Sequence, residues 1–326
     1  MATKVLKYFV ATKLFRTFVP MKQMMIFLVT LVFVTSCGQS YDEKLRLTRQ
    51  QQRALQQQDS ASLKVAVLPT MDCLPLFVAC DRGFFKKYGA DIRLKSYTAQ
   101  MDCDTAIERH RVEGMVSELV RTERLQRKDD SLCYVTTTSA YWQLITNRNA
   151  RIRELKQLDD KMIAMTRYSV TDLLTDVVVD SAKLVKERVF RVQINDVDVR
   201  LRMLLGNEMD AMFLTEPQAT LARKQKHNVL LDTRTLDMNW GVVAFRQEAL
   251  RDTVRQRQLK AFIKAYDEAC DSLNRLGLKA YADILVKRFH LKDKEVDFLP
   301  KDLKFGHASI PLQADIERAR QWLKKQ

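Results

Sequence analysis

Short strand-like segments alternate with helix-like segments along most of this chain, and this alternation restricts its fold more than any other feature. The strand-like segments are Lys64–Leu68, Asp91–Tyr97, Tyr134–Thr138, Trp142–Thr146, Met162–Thr166, Phe190–Ile194, Ala211–Leu214, Val229–Leu231 and Gly241–Phe245. Alternation of this kind predicts parallel α/β sheets covered by helices. About 265 residues follow Ser62, more than one hydrophobic core usually holds, so we expect two lobes.

The clearest predicted helix runs from Val170 to Lys183, because its apolar residues recur at helical spacing. Ser169 and Asp172 form an S-x-x-D capping box at its start. The free N–H groups and the positive dipole end of such a helix lie above the preceding strand, in a geometry that suits an anion. An ordinary capped helix of an α/β domain has the same pattern.

A second strand-helix-strand unit begins with Phe190–Ile194. Its helix is predicted to be capped near Asp198 and to end at Gly206, and its second strand, Ala211–Leu214, is followed closely by Glu216. Ligands of open α/β sheets sit at the carboxyl ends of the strands, so this carboxylate is a candidate contact. Beyond Phe245 the apolar spacing predicts a mostly helical C-terminal tail.

The N-terminus has the features of an export signal. Residues 24–34 are almost wholly apolar, follow Lys22 and end in "VTSCGQS", and the run is too short for a membrane span of about 20 residues. The four residues that end at Cys37 resemble a bacterial lipobox, whose cysteine is acylated and becomes the mature N-terminus. We expect residues 1–36 to be a signal peptide, with Met21 as an alternative start. An ordinary signal peptide with an unrelated cysteine is the competing interpretation.

Residues 37–62 are rich in glutamine, and this composition predicts a lipidated tether that is flexible or partly helical. Several acyl chains, palmitate among them, would anchor Cys37 stably where a single chain is marginal. The predicted location is therefore the cell envelope, on the periplasmic side of a membrane.

The chain is basic, with a formal charge of +15. Five of its 55 Lys and Arg and none of its 40 acids precede Cys37, so the mature chain keeps a charge of +10. Basic and acidic residues alternate along the helices without a basic block, and an exported protein does not meet nucleic acid, so no nucleic-acid partner is expected. The four histidines are scattered and no CxxC occurs, so we predict no metal site, no cofactor and no enzyme activity.

The tripeptide Met-Asp-Cys follows each of the first two predicted strands, at residues 71–73 and 101–103. If these strands are neighbours in one parallel sheet, both tripeptides lie at its carboxyl edge. Cys73 and Cys103 could then form a disulfide, which an oxidising envelope permits, or offer thiolates beside Asp72 and Asp102 to a soft metal. Two free, partly buried cysteines that recur by chance are the third alternative.

Three segments together resemble a known family: "GFFKKYGADIRL", "LKQLDDKMIAMTRYSVTDLL" and "LLGNEMDAMFLTEPQAT". They resemble the periplasmic solute-binding proteins of the nitrate, sulfonate, taurine and thiamine-pyrimidine-precursor group. One departure concerns residues 114–117, where the family has Gly-x-x-Asp and this chain has Ser117. A second is the Met-Asp-Cys loop, which lacks the polar, small or aromatic residues common there. Both departures bear on the ligand rather than on the fold.

The resemblance implies an α/β, two-lobed periplasmic-binding-protein type 2 fold with two crossing strands and a helical C-terminal tail. Residues 63–146 and 246–326 would form lobe I, and residues 147–245 lobe II with the crossing segments. The implied function is that of a substrate-binding lipoprotein of an ABC importer, with permease and ATPase subunits as partners. A small solute would bind between the lobes and favour their closure.

The expected ligand contacts come from both lobes and from the crossings. They are Asp72, Thr138, Ser139, Tyr168, Ser169, Glu216, Asn239 and Trp240. Trp240 would either stack on a planar ligand or pack in the hinge. Because Asp72 and Glu216 are acidic, an amine-bearing, heteroaromatic or amino-sulfonate solute is favoured over a simple anion. The alternatives are a bilobal lipoprotein that binds a protein partner, and an enzyme of pyrimidine-precursor type on the same scaffold.

Overall fold

A computed structural model of the chain describes residue 46, residues 48–52, residues 62–127 and residues 131–326. The predicted signal peptide, Cys37 and much of the tether lie outside the described residues, while residues 46 and 48–52 are helical. The chain divides into one unit of residues 1–60 and another of residues 61–326, and the following concerns the second. None of the helices in the described ranges is long and apolar enough to cross a membrane.

The second unit contains two five-stranded sheets. Their strands are β1 (Leu63–Val67), β2 (Ile92–Ser96), β3 (Gly114–Glu118), β4 (Leu132–Thr137), β5 (Gln143–Thr146), β6 (Lys161–Met165), β7 (Val189–Gln193), β8 (Ala211–Leu214), β9 (Asn228–Asp232) and β10 (Gly241–Arg246). The strand orders are β2-β1-β3-β10-β4 and β7-β6-β8-β5-β9. In each sheet one strand, β10 or β5, runs antiparallel to both neighbours. The two-lobed α/β fold with two crossing strands is therefore confirmed.

Helices cover both sheets. They are α1 (Leu74–Asp81), α2 (Phe84–Lys87), α3 (Gln100–Glu108), α4 (Leu119–Gln126), α5 (Val170–Ala182), α6 (Val197–Leu205), α7 (Gln218–Lys224), α8 (Thr253–Leu276), α9 (Ala282–Phe289), α10 (Asp293–Val296) and α11 (Gln313–Lys324). Short 3₁₀ turns join several elements, among them Met71–Cys73 directly before α1. The second Met-Asp-Cys differs from the first, because residues 101–103 lie inside α3 rather than in a turn.

The chain crosses between the lobes at residues 138–142 and returns at residues 233–240. Gln143–Thr146 therefore lies in the sheet of lobe II, although the sequence analysis places it in lobe I. Gly241–Arg246 conversely belongs to the sheet of lobe I. Each of these strands follows a crossing directly and lies between two other strands of the sheet it reaches, which a pattern of strands along the chain does not reveal.

The predicted strands coincide with observed ones, and the structure adds one strand, Gly114–Glu118, that the sequence pattern does not predict. All five of its residues are buried, since β3 lies between β1 and β10 in the centre of its sheet. It has no alternating pattern, and Ser117 and Glu118 interrupt its apolar run. The cap of α6 also differs from the prediction, which places it near Asp198. The cap is Asp196, whose side chain accepts hydrogen bonds from the N–H groups of Asp198 and Val199.

The first hydrophobic core holds lobe I and the helical tail together. The ring of Phe262 on α8 stacks on Phe85, at 5.6 Å between centroids, and meets Phe245 of β10 edge to face at 5.5 Å. Tyr266, one turn further along α8, is also fully buried. Residues 253–289 therefore complete lobe I rather than forming a separate domain.

A second apolar cluster joins the two lobes. It contains Leu119 and Val120 of α4, Trp240 at the return crossing, Val170 and Leu174 of α5, and three side chains of α11, namely Ile316, Ala319 and Leu323. The helix α11 also binds each lobe by polar contacts. Arg320 donates to Glu123 of α4 at 2.6 Å, and the indole N–H of Trp322 donates to Asp176 of α5 at 2.7 Å. The C-terminal helix thus fastens lobe I to lobe II on one side.

We expect Gly241→Ala to destabilise the protein, because Gly241 lies where the return crossing packs on the outgoing one. A Cβ atom there would lie 2.2 Å from the Thr138 hydroxyl and 2.5 Å from the Ala140 methyl group. Overpacking of this kind lowers the free energy of unfolding by about 1–3 kcal/mol. Gly306→Ala, where no atom lies within 4 Å, is the matched control. Equal urea midpoints for the two variants would contradict the packing described here.

Candidate functional site

A cavity of about 70 Å³ lies between the lobes. It is found at the carboxyl ends of β1 and β3 in lobe I and of β6, β7 and β8 in lobe II, the edge where open α/β sheets bind ligands. One water molecule needs roughly 10–15 Å³ on the same measure, so there is room for a small molecule. Its polar walls are Thr70, Asp72, Gln100, Ser117, Glu118 and Arg121 from lobe I, and Thr166, Ser169, Thr171, Asn195, Arg200 and Thr215 from lobe II.

Asp72 and Ser169 are the predicted contacts that line this cavity. Asp72 lies in the turn after β1 and accepts a hydrogen bond from the Thr138 hydroxyl at 3.3 Å. Burial raises the pKa of its carboxyl group, against hydrogen bonds from Thr70 and Thr138 that lower it. Thr138 itself does not line the cavity, and lies with Ser139 and Asn239 on a neighbouring depression at the crossings. Asp72 joins the two places, because it contacts Thr138 and also lines a smaller pocket of about 10 Å³ together with Ser139 and Glu216.

Three further predicted contacts also lie outside the cavity, each because another partner holds it. Glu216 accepts from the hydroxyl of Tyr141 at 2.9 Å and pairs with Arg223 at 2.6 Å. Tyr168 has a left-handed backbone, with φ of 54°, and its ring lies under the guanidinium of Arg124. Trp240 is buried in the apolar cluster between the lobes, so of its two interpretations the structure favours hinge packing.

The start of α5 differs in detail from the predicted capping box. The hydroxyl of Ser169 accepts from the N–H of Thr171 at 3.1 Å, as expected. The carboxylate of Asp172 instead accepts from the N–H of Tyr168 at 2.9 Å, and it is also paired with Arg191 at 2.6 Å. The first residues of α5 therefore form part of the cavity wall, whereas the carboxylate of Asp172 lies outside the cavity.

Glu118 is the main site residue that the sequence analysis missed. It ends β3 and caps α4, accepting from the N–H of Val120 at 2.6 Å and from that of Arg121 at 3.2 Å. It also accepts a backbone hydrogen bond from Val170, at the start of α5 in the other lobe. Burial raises its pKa to about 7, against the charge of Arg121 and these N–H groups, which lower it. A carboxylate of lobe I thus satisfies the helix N-terminus of lobe II.

Two buried arginines complete the charged wall. Arg121 donates through Nε to the carboxylate of Asp104 at 2.6 Å, and through Nη1 to the carbonyl oxygen of Arg167 in the other lobe at 3.5 Å. Arg200 donates through Nε to the carbonyl of Ile194 at 2.7 Å and also to Phe213. Burial and the nearby charge of Arg121 lower the pKa of Arg200 to about 10.

The sequence contained one signal for this wall. The departure at Ser117 from the Gly-x-x-Asp pattern falls on a cavity-lining residue, directly before Glu118. Arg200 lies in a predicted helix and Arg121 in a helix that the sequence analysis does not assign. A charged residue of a helix normally faces solvent. Arg121 is buried because the other lobe covers it, and Arg200 because it contacts the ends of strands. No single-element pattern indicates that.

Cys73 and Cys103 are free thiols in the structure, and both are fully buried. Of the three alternatives that the sequence leaves open for this pair, the structure has the two free, buried cysteines. The sulfur of Cys73 accepts from the N–H of Leu68 at 3.4 Å, so it is already engaged within its own turn. Burial raises the pKa of both thiols, with acidic neighbours adding to the effect. In the described part of the chain, no cluster of three or more His, Cys, Asp or Glu could hold a metal ion.

The fold and the site define a two-lobed α/β protein with a polar cavity at the lobe interface. A family model described as "NMT1/THI5 like" matches residues 70–274, and the chain belongs to this family. The resemblance to periplasmic solute-binding proteins expected from the sequence is therefore confirmed. No curated protein matches the chain.

Several solved structures share the fold at low sequence identity. The alkanesulfonate-binding protein SsuA of Xanthomonas axonopodis pv. citri, bound to MOPS, is 16% identical with a TM-score of 0.67, covering 81% of this chain and 91% of that one. A ligand-binding component of an ABC-type import system from Staphylococcus aureus, with zinc bound, is 15% identical with a TM-score of 0.67 over the same shares. The nitrate-binding protein NrtA of Synechocystis is 15% identical, with a TM-score of 0.62, covering 78% and 74%. At these identities the likeness establishes the fold alone.

Both buried cysteines should be free thiols that react only after the protein is unfolded. In the folded protein without reductant, Cys73 and Cys103 should resist iodoacetamide, because their sulfurs are buried and their thiolates disfavoured. The half-buried Cys80 and Cys133 serve as internal controls that react sooner. After unfolding without reductant, peptide mass spectrometry should find both buried thiols alkylated. Alkylation of Cys73 and Cys103 only after reduction would show instead that they form a disulfide.

Glu118→Gln should change the pH dependence of stability. A buried carboxyl group whose pKa is raised stabilises the folded state below its unfolded pKa of 4.5, and this contribution is lost as the pH rises through 7. From pH 5 to pH 8 the wild type should therefore lose about 2–3 kcal/mol of unfolding free energy relative to the variant. Denaturant titrations at several pH values measure this difference.

Asp176→Asn is the control for this experiment. Burial alone would raise the pKa of Asp176, but Arg191 and Trp322 hold it below the ordinary value of 3.8. Its contribution is lost only at lower pH, so the difference between this variant and the wild type should stay constant from pH 5 to pH 8. A constant difference for Glu118→Gln as well would show that Glu118 titrates normally.

Proposed function

We propose that the protein is the substrate-binding lipoprotein of an ABC importer, and that it binds a small solute between its lobes. The observation that carries this proposal is the cavity between the lobes, whose polar walls come in equal measure from both lobes. A ligand in that position contacts both walls only when the lobes are together. It therefore stabilises the closed form by its differential affinity for that form.

Hydrogen bonds between the lobes border the cavity and support a closed arrangement. The N–H of Met71 donates to the carbonyl of Glu216 at 2.8 Å, and the side chain of Gln218 donates to the carbonyl of Pro69 at 3.2 Å. On another side the N–H of Val197 donates to the carbonyl of Thr98 at 3.4 Å. These bonds form or break with hinge movement, because each joins a loop of one lobe to the other.

The two acids in the cavity wall favour an amine-bearing, heteroaromatic or amino-sulfonate solute over a simple inorganic anion. Asp72 and Glu118 line the wall of lobe I, so Glu118 takes the place that the sequence analysis gave to Glu216. The Glu118 carboxylate already satisfies the start of α5, the position an anion would otherwise use. Asp72 and Ser169 are the proposed contacts from the two lobes.

The remaining parts of the proposal concern the cell. Acylation at Cys37 would anchor the protein by several acyl chains on the periplasmic side of a membrane. Permease and ATPase subunits would receive the solute, since the structural neighbours include components of ABC-type import systems. We propose no catalytic role for the site residues.

Native mass spectrometry of the mature, detergent-extracted protein is the test. We expect a small molecule that leaves on denaturation, and quenching or enhancement of the Trp142 fluorescence when it rebinds, since Trp142 lines the cavity. Asn195→Trp, which fills the cavity from the loop after β7, should lower affinity at least tenfold. Asn149→Trp, on the exposed surface outside the cavity, should leave affinity unchanged. Absence of any bound solute, with no thermal shift across a broad metabolite panel, would contradict an importer role.

A further inference from the structure

The wall of lobe I carries an acid without a cationic partner. Asp72 accepts hydrogen bonds from the hydroxyls of Thr70 and Thr138 and from the N–H of Cys73, all of them uncharged. Within residues 62–127 and 131–326, no Lys, Arg or His lies within salt-bridge distance of it. A half-buried carboxylate in this state attracts a positively charged group more strongly than an exposed one.

The wall of lobe II carries a cation without an acidic partner. The side chain of Arg200 is 5% exposed, and its three hydrogen bonds go to the carbonyls of Ile194 and Phe213 and to the hydroxyl of Thr166. No carboxylate in the described part of the chain forms a salt bridge with it. Asp196, which acts on it electrostatically, is engaged as the cap of α6. A guanidinium has five N–H groups, so one on each terminal nitrogen is left for a ligand.

The other charges on the two walls are compensated within the protein. Arg121 is paired with Asp104, and Glu118 accepts from three backbone N–H groups beside Arg121. Burying a charge is unfavourable unless it is paired and hydrogen-bonded. The cavity thus presents one unpaired negative group and one unpaired positive group on opposite walls.

A third observation concerns Thr215, which also lines the cavity from lobe II. Its hydroxyl oxygen is buried and has no hydrogen-bond partner among the described residues. Buried polar atoms are nearly always paired, so an unpaired hydroxyl in a cavity wall indicates a position where a ligand atom is bound.

We infer that the solute is a small zwitterion, whose ammonium group binds Asp72 in lobe I and whose carboxylate binds Arg200 in lobe II. The inference rests on the proposed solute-binding function and specifies the class of solute. A carboxylate matches the two free N–H groups of a guanidinium, and the Thr215 hydroxyl can donate to it. A solute with one charge would leave the opposite wall uncompensated. A zwitterion neutralises both walls and joins the lobes.

Calorimetric titration of the full mature protein with a matched panel tests the inference. The panel contains glycine, β-alanine, 4-aminobutyrate and 5-aminopentanoate, with propionate and propylammonium as the singly charged counterparts and taurine as the sulfonate zwitterion. At least one amino carboxylate should bind tenfold or more tightly than both singly charged compounds. The chain length preferred in the series measures the separation of the two charges across the cavity.

Two charge-removing variants separate ligand binding from structural support. Asp72→Asn should weaken the preferred zwitterion at least tenfold while leaving propionate unchanged or tighter. Arg200→Gln should show the opposite preference, weakening propionate but not propylammonium, and Arg200→Lys should retain part of the zwitterion affinity if Arg200→Gln fails to fold. A purely structural role would lower all affinities together. Arg82→Gln and Asp283→Asn, which remove the two halves of an exposed ion pair outside the cavity, are the matched controls.

The outcomes distinguish the inference from the function on which it rests. If a singly charged or uncharged solute binds most tightly, or if native mass spectrometry identifies one, the protein is a solute-binding protein but the zwitterion assignment is wrong. Uniform loss of affinity in both charge variants would equally overturn it. If no solute of any class is bound or co-purified, the proposed function itself fails.

Discussion

Compensation of charge at the lobe interface is the constraint on which the rest of this structure depends. Several ionisable side chains are withdrawn from water where the lobes meet, and each must find a partner in the protein or in a ligand. Glu118 accepts from N–H groups in the first turn of α4 and, across the interface, from the start of α5. Arg121 is paired with Asp104. These contacts require the carboxyl end of β3 to face the amino end of α5, so the charge pattern and the orientation of the lobes depend on each other.

The same requirement gives the strand β3 a composition that is unusual for the centre of a sheet. A central strand covered on both faces normally reads as a continuous apolar run. Here the run ends in Ser117 and Glu118, which emerge at the edge of the sheet and face the cavity. The residues that weaken the strand signal are therefore those that form the site, and the most informative part of the first lobe was the hardest to assign from sequence.

The sequence predicts those strands and helices whose apolar residues recur with the period of a single strand or helix. The strands from Lys64 onward and the helix after Ser169 have such patterns, and the structure contains them with shifts of a residue or two at the ends. The strands β1 and β2 are parallel neighbours, which is the condition that the interpretation of the repeated Met-Asp-Cys sets, yet the second tripeptide lies in α3. The burial of Arg121 and Arg200 and the partners of Glu216 come from elements far apart in the chain. Local periodicity does not contain that information.

The way in which the lobes can separate follows from the unequal contacts on their two sides. Leu119, Val120, Trp240 and the inner face of α11 form a continuous apolar cluster with α5, and exposing such surface is unfavourable by about 25 cal/mol per Å². On the side of α3 and α6, the contacts are single hydrogen bonds between loops, such as that from Val197 to Thr98. Each of these exchanges with water at a net difference of about 1 kcal/mol. Opening should therefore widen the α3 and α6 side, with the apolar cluster as the hinge, and a solute held between Asp72 and Arg200 opposes that movement directly.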